Sequence, residues 1–255
     1  MREDENVTTS LPLTLIGGPT LLFEYAGLTV ITDPTFDEPG DHGGLVKTAG
    51  PALPADAVGP VDLALISHDH HPDNLDDAGR EVAHRARLAV TTQAGAERDG
   101  ALVGLAEGEG LDAAGTVTVT AVPAQHGPAD VAPHTGPVIG FILRADGWPT
   151  IYFSGDNSEV DVVQRIAAQH PDVDLAILCV GAARVASRGP DPLTLDAERA
   201  VAAAALWPHA RVVPVHADGW AHFSEPREHM ARVLTEHLGE RVVILEHGVK
   251  TTVEV

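Results

Sequence analysis

The chain has 255 residues, enough to bury a full core as one domain over residues 1–255, and its 16 basic against 37 acidic residues give a formal net charge of −21. That balance argues against a phosphate-tracking nucleic-acid surface and against an anionic membrane as partners. The opening Met1-Arg-Glu-Asp-Glu-Asn6 leads into no long apolar run, so no signal peptide and no integral membrane contact is expected, and the expected location is the cytoplasm. Cys179, the single cysteine, lies in the apolar run Leu175 to Val180 and reads as a small buried hydrophobe; it has no partner for an intrachain disulfide.

In chain order, Leu11 to Ile16, Thr20 to Tyr25 and Leu28 to Thr32 read as three short strands of an antiparallel meander, separated by Gly17-Gly-Pro19 and Ala26-Gly27. Asp33 to Pro60 is rich in Gly, Pro and Asp and reads as a long loop, the kind that rims a functional pocket. The apolar run from Val61 to Ser67 reads as the next strand. A short helix is expected over Asp76 to Arg85, a strand over Leu88 to Thr92, then a Gly-rich stretch and a strand from Thr116 to Val122. The Asp-Gly in Ala145-Asp-Gly-Trp148 signals a hairpin between Val138–Arg144 and Thr150–Ser154.

After Asp156 the period lengthens. Val160, Val163, Ile166 and Ala167 recur at helical spacing, Leu175 to Val180 is a strand, and Asp196 to Leu206 is an alanine-rich helix with Thr194 as its expected cap. A strand at Arg211, a helix from Glu225 to Leu238 and closing strands over Arg241–Leu245 and Lys250–Val255 complete the chain. Two packed sheets with helices outside accommodate that order.

Four of the expected strands run into a metal-competent side chain: His68, His126, Asp156 and His216. The first strand end is the richest, Ser67-His-Asp-His-His-Pro-Asp-Asn-Leu-Asp76. His68 and His70, two apart on a loop, suit one metal, and Asp73 reaches a neighbouring position. Imidazole with carboxylate suits zinc, with manganese or iron as alternatives, and one or two ions fit.

With Leu15-Ile-Gly-Gly-Pro-Thr20, Val30-Ile-Thr-Asp33-Pro, Ser67-His68-Asp-His70, His126, Asp156 and His216 in this order, the chain resembles the metallo-β-lactamase superfamily, in the branch of ascorbate-6-phosphate lactonase-like and N-acyl-phosphatidylethanolamine phospholipase D-like hydrolases. The likeness runs from Leu13 to about Gly248. It implies an α+β fold, a four-layer αββα sandwich with metals at one edge between the sheets, and His68, His70, Asp73, His126, Asp156 and His216 as metal ligands. The chain departs from the family's His-X-His-X-Asp-His signature: Asp73 arrives one residue late, after Pro72, and Asn74 stands where the last histidine belongs. His71 is the alternative source of the missing nitrogen. Asp33 is a candidate for orienting a ligand histidine. His247, at a strand end, is placed near the cluster, and Trp220 is a candidate pocket-lining residue.

The function expected from these residues is metal-dependent hydrolysis of a small ester, lactone or phosphodiester by an ion-activated water, with Asp73 and His222 as candidate proton-handling residues. The alternatives are a metal-dependent oxidoreductase, since the superfamily contains diiron proteins, and a non-catalytic metal- or ligand-binding member of the fold. The expected partner is a small-molecule substrate, and the sequence leaves the oligomeric state open.

Overall fold

A computed structural model describes residues 9–255; the charged opening Met1–Asn6 lies outside them. The meander forms as its turns dictate: β1 (Ser10–Gly17), β2 (Thr20–Tyr25) and β3 (Leu28–Thr32) pair antiparallel in sequence. The following loop is not wholly irregular, because β4 (Gly40–His42) and β5 (Leu45–Lys47) form a small hairpin around Gly43 and Gly44, both at positive φ. β6 (Leu63–Leu65) then joins β3 in parallel. It is followed by α1 (Asp77–Arg85), β7 (Leu88–Thr92), α2 (Gln93–Arg98) and β8 (Val103–Leu105).

The second half starts with β9 (Gly110–Ala113) and β10 (Val117–Pro123), then the single turn α3 (Ala132–Thr135) and the expected hairpin of β11 (Ile139–Arg144) and β12 (Thr150–Phe153). α4 (Val160–Gln169), β13 (Val173–Cys179), α5 (Ala197–Ala204), β14 (Arg211–Val215) and α6 (Arg227–Leu238) follow, and β15 (Thr251–Glu254) returns to pair with β1. The strands assemble into a seven-stranded sheet ordered β15-β1-β2-β3-β6-β7-β8 and a six-stranded sheet ordered β14-β13-β12-β11-β10-β9.

Alternation along the strands assigns the layers. In β13, Leu175, Ile177 and Cys179 enter the core between the sheets, while Ala176 and Leu178 face the cluster that holds Val163, Ile166, Ala200, Trp207 and Leu234 of the α4, α5 and α6 layer. On the other sheet, Leu13 and Leu15 point inward, whereas Ile16, Ile31 and Ala64 pack with Val82 and Ala83 of α1. Period-two side chains buried on both faces require a layer on each side, which gives the αββα order. Burial raises the Cys179 thiol well above its usual pKa, so it is an inert core group.

Local expectations fail where a competing contact wins. The cap of α5 is Asp196, whose carboxylate accepts from the Arg199 amide, while Thr194 turns away to accept from the Ala183 amide. Arg241–Leu245 is not a strand: after a 3₁₀ turn at Gly239–Arg241 only Val242 bridges to Val212, and the Arg241 guanidinium is spent on the carbonyls of Ala204, Trp207 and Ala210. The Gly-rich stretch after β7 contains α2, β8 and β9, elements too short to register as periodicity.

The long loop is fastened beside the cluster by Asp76. Its carboxylate caps α1 through the Gly79 amide (2.7 Å), accepts from the amides of Phe36 and Asp37 (2.8 Å each) and pairs with buried Lys47 on β5 at 2.9 Å. One buried carboxylate thus joins the loop, the small hairpin and the helix that follows the histidine-rich turn.

Candidate metal centre

Strand ends bring the ligand-type residues together. β6 delivers Ser67 and His68, β10 leads to His126, β12 to Asp156 and β14 to His216, and all four functional side chains are buried. Two of these ends need unusual backbone. Gly155 sits at φ 54°, where a Cβ would lie 2.5 Å from the Ile139 carbonyl oxygen, and His216 itself adopts φ 61°. A non-glycine residue held in the left-handed region costs free energy that the surrounding structure must offset, and such positions concentrate at functional sites.

Three donor groups have ligand atoms within 4.8 Å of one another: His68, His70 and His71; His68, His126 and Asp156; and Asp73, Asp156 and His216. Within the first, His68 Nε2 is 2.8 Å from His71 Nδ1. His70 Nε2 instead meets the Thr135 carbonyl at 2.7 Å, and 25 % of the His70 side chain is exposed. His126 directs Nδ1 to the Leu193 carbonyl at 2.8 Å, leaving Nε2 to face Asp156 Oδ2 at 3.9 Å. The other Asp156 oxygen is 3.5 Å from His216 Nε2, which is also 3.3 Å from Asp73 Oδ2. His222 Nε2 is 3.0 Å from that same Asp73 oxygen.

Behind the candidate ligands stands a polar brace. Asp33 accepts from the Ser67 amide (2.6 Å) and hydroxyl (2.7 Å), and the Ser67 hydroxyl contacts His68 Nδ1 at 3.0 Å, so Asp33 acts on His68 through Ser67. Asn74 is fully buried and donates to Asp33 Oδ2 at 3.0 Å and Asp156 Oδ1 at 3.1 Å. It ties two carboxylates together by their oxygens.

Charge follows burial. The His68 imidazole is driven well below its usual pKa by burial and by the neighbouring histidines, His71 falls to about 4 chiefly through burial, and burial also lowers His126. Burial alone would raise the Asp73 carboxyl, but the adjacent His216 and His222 rings override it and hold Asp73 well below the usual carboxylate range. Burial would lower His216, yet the charges of Asp156 and Asp73 raise it. Burial lifts Asp33 to about 7 against the hydrogen bonds it accepts. Neutral His68, His71 and His126 and an ionised Asp73 are the protonation states a divalent ion requires, whereas His216, favoured as imidazolium by its two carboxylates, gives up its proton to bind one.

The donor set therefore fits a metal. Asp73 Oδ1, Asp156 Oδ2, both ring nitrogens of His216 and His222 Nδ1 are buried without a hydrogen-bond partner. Buried polar atoms ordinarily have partners, and three of these residues, Asp73, Asp156 and His216, make up one donor group, so their unpaired atoms call for a cation.

The cluster opens into a cavity of about 170 Å³, lined by His71, Asp73, His126 and His222 and by the less polar Leu45, Ala183, Val185 and Leu193. Neither His70 nor His247 lines it; His247 pairs with Asp218 at 3.1 Å, and buried Trp220 packs near Gly18 beneath Lys47. A larger open depression of about 740 Å³ surrounds Arg144, Trp148 and Asp172, but gathers no ligand set. Thr135 and Leu193, whose carbonyls hold the rings of His70 and His126, went unforeseen because a backbone acceptor has no signature in sequence.

The chain is similar to several known proteins. A UPF0173 metal-dependent hydrolase from Pyrococcus horikoshii is 28% identical over 196 residues, covering 74% of this chain and 80% of its own length. The crystal structure of an isothiocyanate hydrolase from Delia radicum gut bacteria superposes with TM-score 0.82 at 20% identity, over 95% of this chain and 99% of that one. The fold also matches CmlA, a diiron β-hydroxylase from Streptomyces venezuelae, with TM-score 0.68 at 17% identity, over 96% of this chain but 54% of the other. Residues 29–217 match the family model for the Beta-lactamase superfamily domain, a span that runs from β3 to just past His216 and contains every candidate ligand, and the chain belongs to that family.

Proposed function

We propose that the protein is a metal-dependent hydrolase of small ester, lactone or phosphodiester substrates, with two adjoining metal positions. His68 Nε2, His71 Nδ1 and His126 Nε2 would form the first, His68 being the residue shared by the donor groups that contain His71 and His126, and Asp73, His216 and Asp156, which make one donor group, would form the second. The observation that carries this reading is the placement of Asp156: one oxygen faces His126 of the first set, the other His216 of the second. His71 takes the place expected for His70, because its Nδ1 faces His68 and its ring lines the cavity, whereas His70 Nε2 is engaged by a backbone carbonyl. Asn74 serves as a brace for Asp33 and Asp156, and no donor from it is needed.

Zinc suits three imidazoles with carboxylates, and manganese or iron suits them next. A bound divalent ion supplies Lewis acidity, lowering the pKa of water toward neutrality and stabilising negative charge on the attacked carbonyl or phosphoryl oxygen. The chain's own residues handle the protons. Asp73, kept ionised, accepts the proton of the attacking water. His222, bonded to Asp73 through Nε2 and lining the cavity, holds a proton for the leaving group. The apolar part of the lining excludes bulk water from the reacting end of the substrate.

The test is turnover on a panel of esters, lactones, phosphodiesters and thioesters, together with an isothiocyanate because the structurally similar hydrolase is named for one. Metal-stripped and metal-restored protein are compared. Hydrolysis lost on stripping and regained with zinc, manganese or iron supports the reading; hydrolysis indifferent to metal overturns it. Oxygen uptake by an iron-loaded sample in place of hydrolysis would favour the oxidoreductase alternative, and metal binding without turnover the non-catalytic one.

A further inference from the structure

The cavity above the candidate ligands has one cationic side chain besides its histidines, Arg188, at the end of a short 3₁₀ turn (Ala186–Arg188). Arg188 is half-buried, and among the described residues its guanidinium has no hydrogen-bond acceptor and no carboxylate within 4.0 Å; only its backbone amide is engaged, with the Val185 carbonyl at 2.8 Å. Its neighbour Arg184 shows the alternative: that guanidinium is held by the Pro190 carbonyl at 2.9 Å, the Ala182 carbonyl and the Ser224 hydroxyl. Arg211 and Arg241 are likewise half-buried without a carboxylate partner, but Arg188 is the arginine that lines this cavity, where its free donors face the space above the candidate ligands.

Resting on the hydrolase reading, we propose that Arg188 determines specificity by binding an oxyanion, carboxylate or phosphate, carried by the substrate away from the bond that is cleaved. Guanidinium presents its N–H donors in a planar fork that matches such groups two bonds at a time. Leu45, Ala183, Val185 and Leu193 would cover a short apolar segment between that anion and the reacting centre. Size agrees: about 170 Å³ is below the roughly 300–1,000 Å³ of sites for drug-sized ligands, so the substrate is a small organic anion.

Two measurements on the metal-loaded protein test this. In the first, arginines are modified with phenylglyoxal and mapped by peptide mass spectrometry, with millimolar glutarate or inorganic phosphate as protecting probes and exposed Arg85 as the internal reference. A probe that slows modification of Arg188 relative to its own probe-free rate, while leaving the rate of Arg85 unchanged, identifies the oxyanion; unchanged rates at Arg188 under both probes, or equal slowing of both arginines, overturn the proposal. In the second, kcat/KM is compared for matched substrates with and without a terminal carboxylate or phosphate. Arg188→Gln should shrink the preference for the anionic member about 10- to 100-fold, and Arg188→Lys should restore part of it. An unchanged preference overturns the proposal. Absence of turnover on every pair would count against the hydrolase reading, while the modification experiment would still decide the role of Arg188.

Discussion

His68 Nε2 and His71 Nδ1 face each other at 2.8 Å, a spacing bridged by the N–H of one ring in metal-free protein. Under the metal reading, a cation takes the place of that proton. His71→Ala should therefore remove most of the bound metal and cost at least about 100-fold in activity, whereas His70→Ala, which loses only the contact with Thr135, should keep its metal. Elemental analysis of both dialysed variants decides. Metal lost from His70→Ala and kept by His71→Ala would return the ligand role to His70.

The sequence alone suggests Asn74→His as a repair of the family signature. The structure predicts the opposite. Asn74 is fully buried between Asp33 and Asp156, and an imidazole there would displace two hydrogen bonds. Expected are a loss of roughly 1–3 kcal/mol in stability and no gain in metal affinity. Urea unfolding and a zinc titration beside wild type provide the readings, and tighter second-metal binding in the variant would contradict the bracing role.

Gly155 permits the chain to turn between β12 and Asp156. An added Cβ would meet the Ile139 carbonyl oxygen at 2.5 Å and Ser67 Cβ at 2.7 Å, on a backbone at φ 54°. Gly155→Ala should destabilise by more than about 1 kcal/mol and weaken metal binding by moving Asp156. A variant with wild-type stability and metal content would show that the strand end tolerates the shift.

In metal-free protein, His71 is held at about 4 by burial, below an unfolded value of 6.5. The unfolded chain binds that proton first, so the stabilising contribution of a neutral His71 is complete above 6.5 and is lost as pH falls toward 4. Asp33, raised to about 7, acts in the reverse sense: its contribution is complete below 3.8 and is lost as pH rises through 7. The two oppose in the wild type, and His71→Ala separates them. The stability of wild type minus that of His71→Ala should rise with pH across this window by up to about 3 kcal/mol and then level off. A flat difference across the window in urea melts would contradict the assignment.

The fold was legible where strand ends coincide with ligand-type residues. His126, Asp156 and His216 each follow an apolar run, and each is buried at the cluster. The meander from Leu11 to Thr32 was legible from its Gly-rich turns. Short elements held by distant partners were not: β4 and β5 depend on contacts such as Lys47 with Asp76, twenty-nine positions away, which local pattern cannot register. Which of His70 and His71 faces inward was equally hidden, since it turns on a one-residue change of direction in the loop and on the Thr135 carbonyl that engages His70. The cavity's lone guanidinium likewise gains meaning only once Ala182, Pro190 and Ser224 are seen to occupy Arg184 instead.

On the proposed reading, His68, His71 and His126 hold one metal while Asp156 reaches toward a second held with Asp73 and His216. Anomalous diffraction from crystals grown with zinc, recorded on both sides of the zinc edge, tests it directly. The expected result is a peak about 2.0–2.1 Å from His68 Nε2, His71 Nδ1 and His126 Nε2, with the second position between Asp73 and His216. A peak bound by His70 with His71 turned away, or no peak within the cluster, would contradict it.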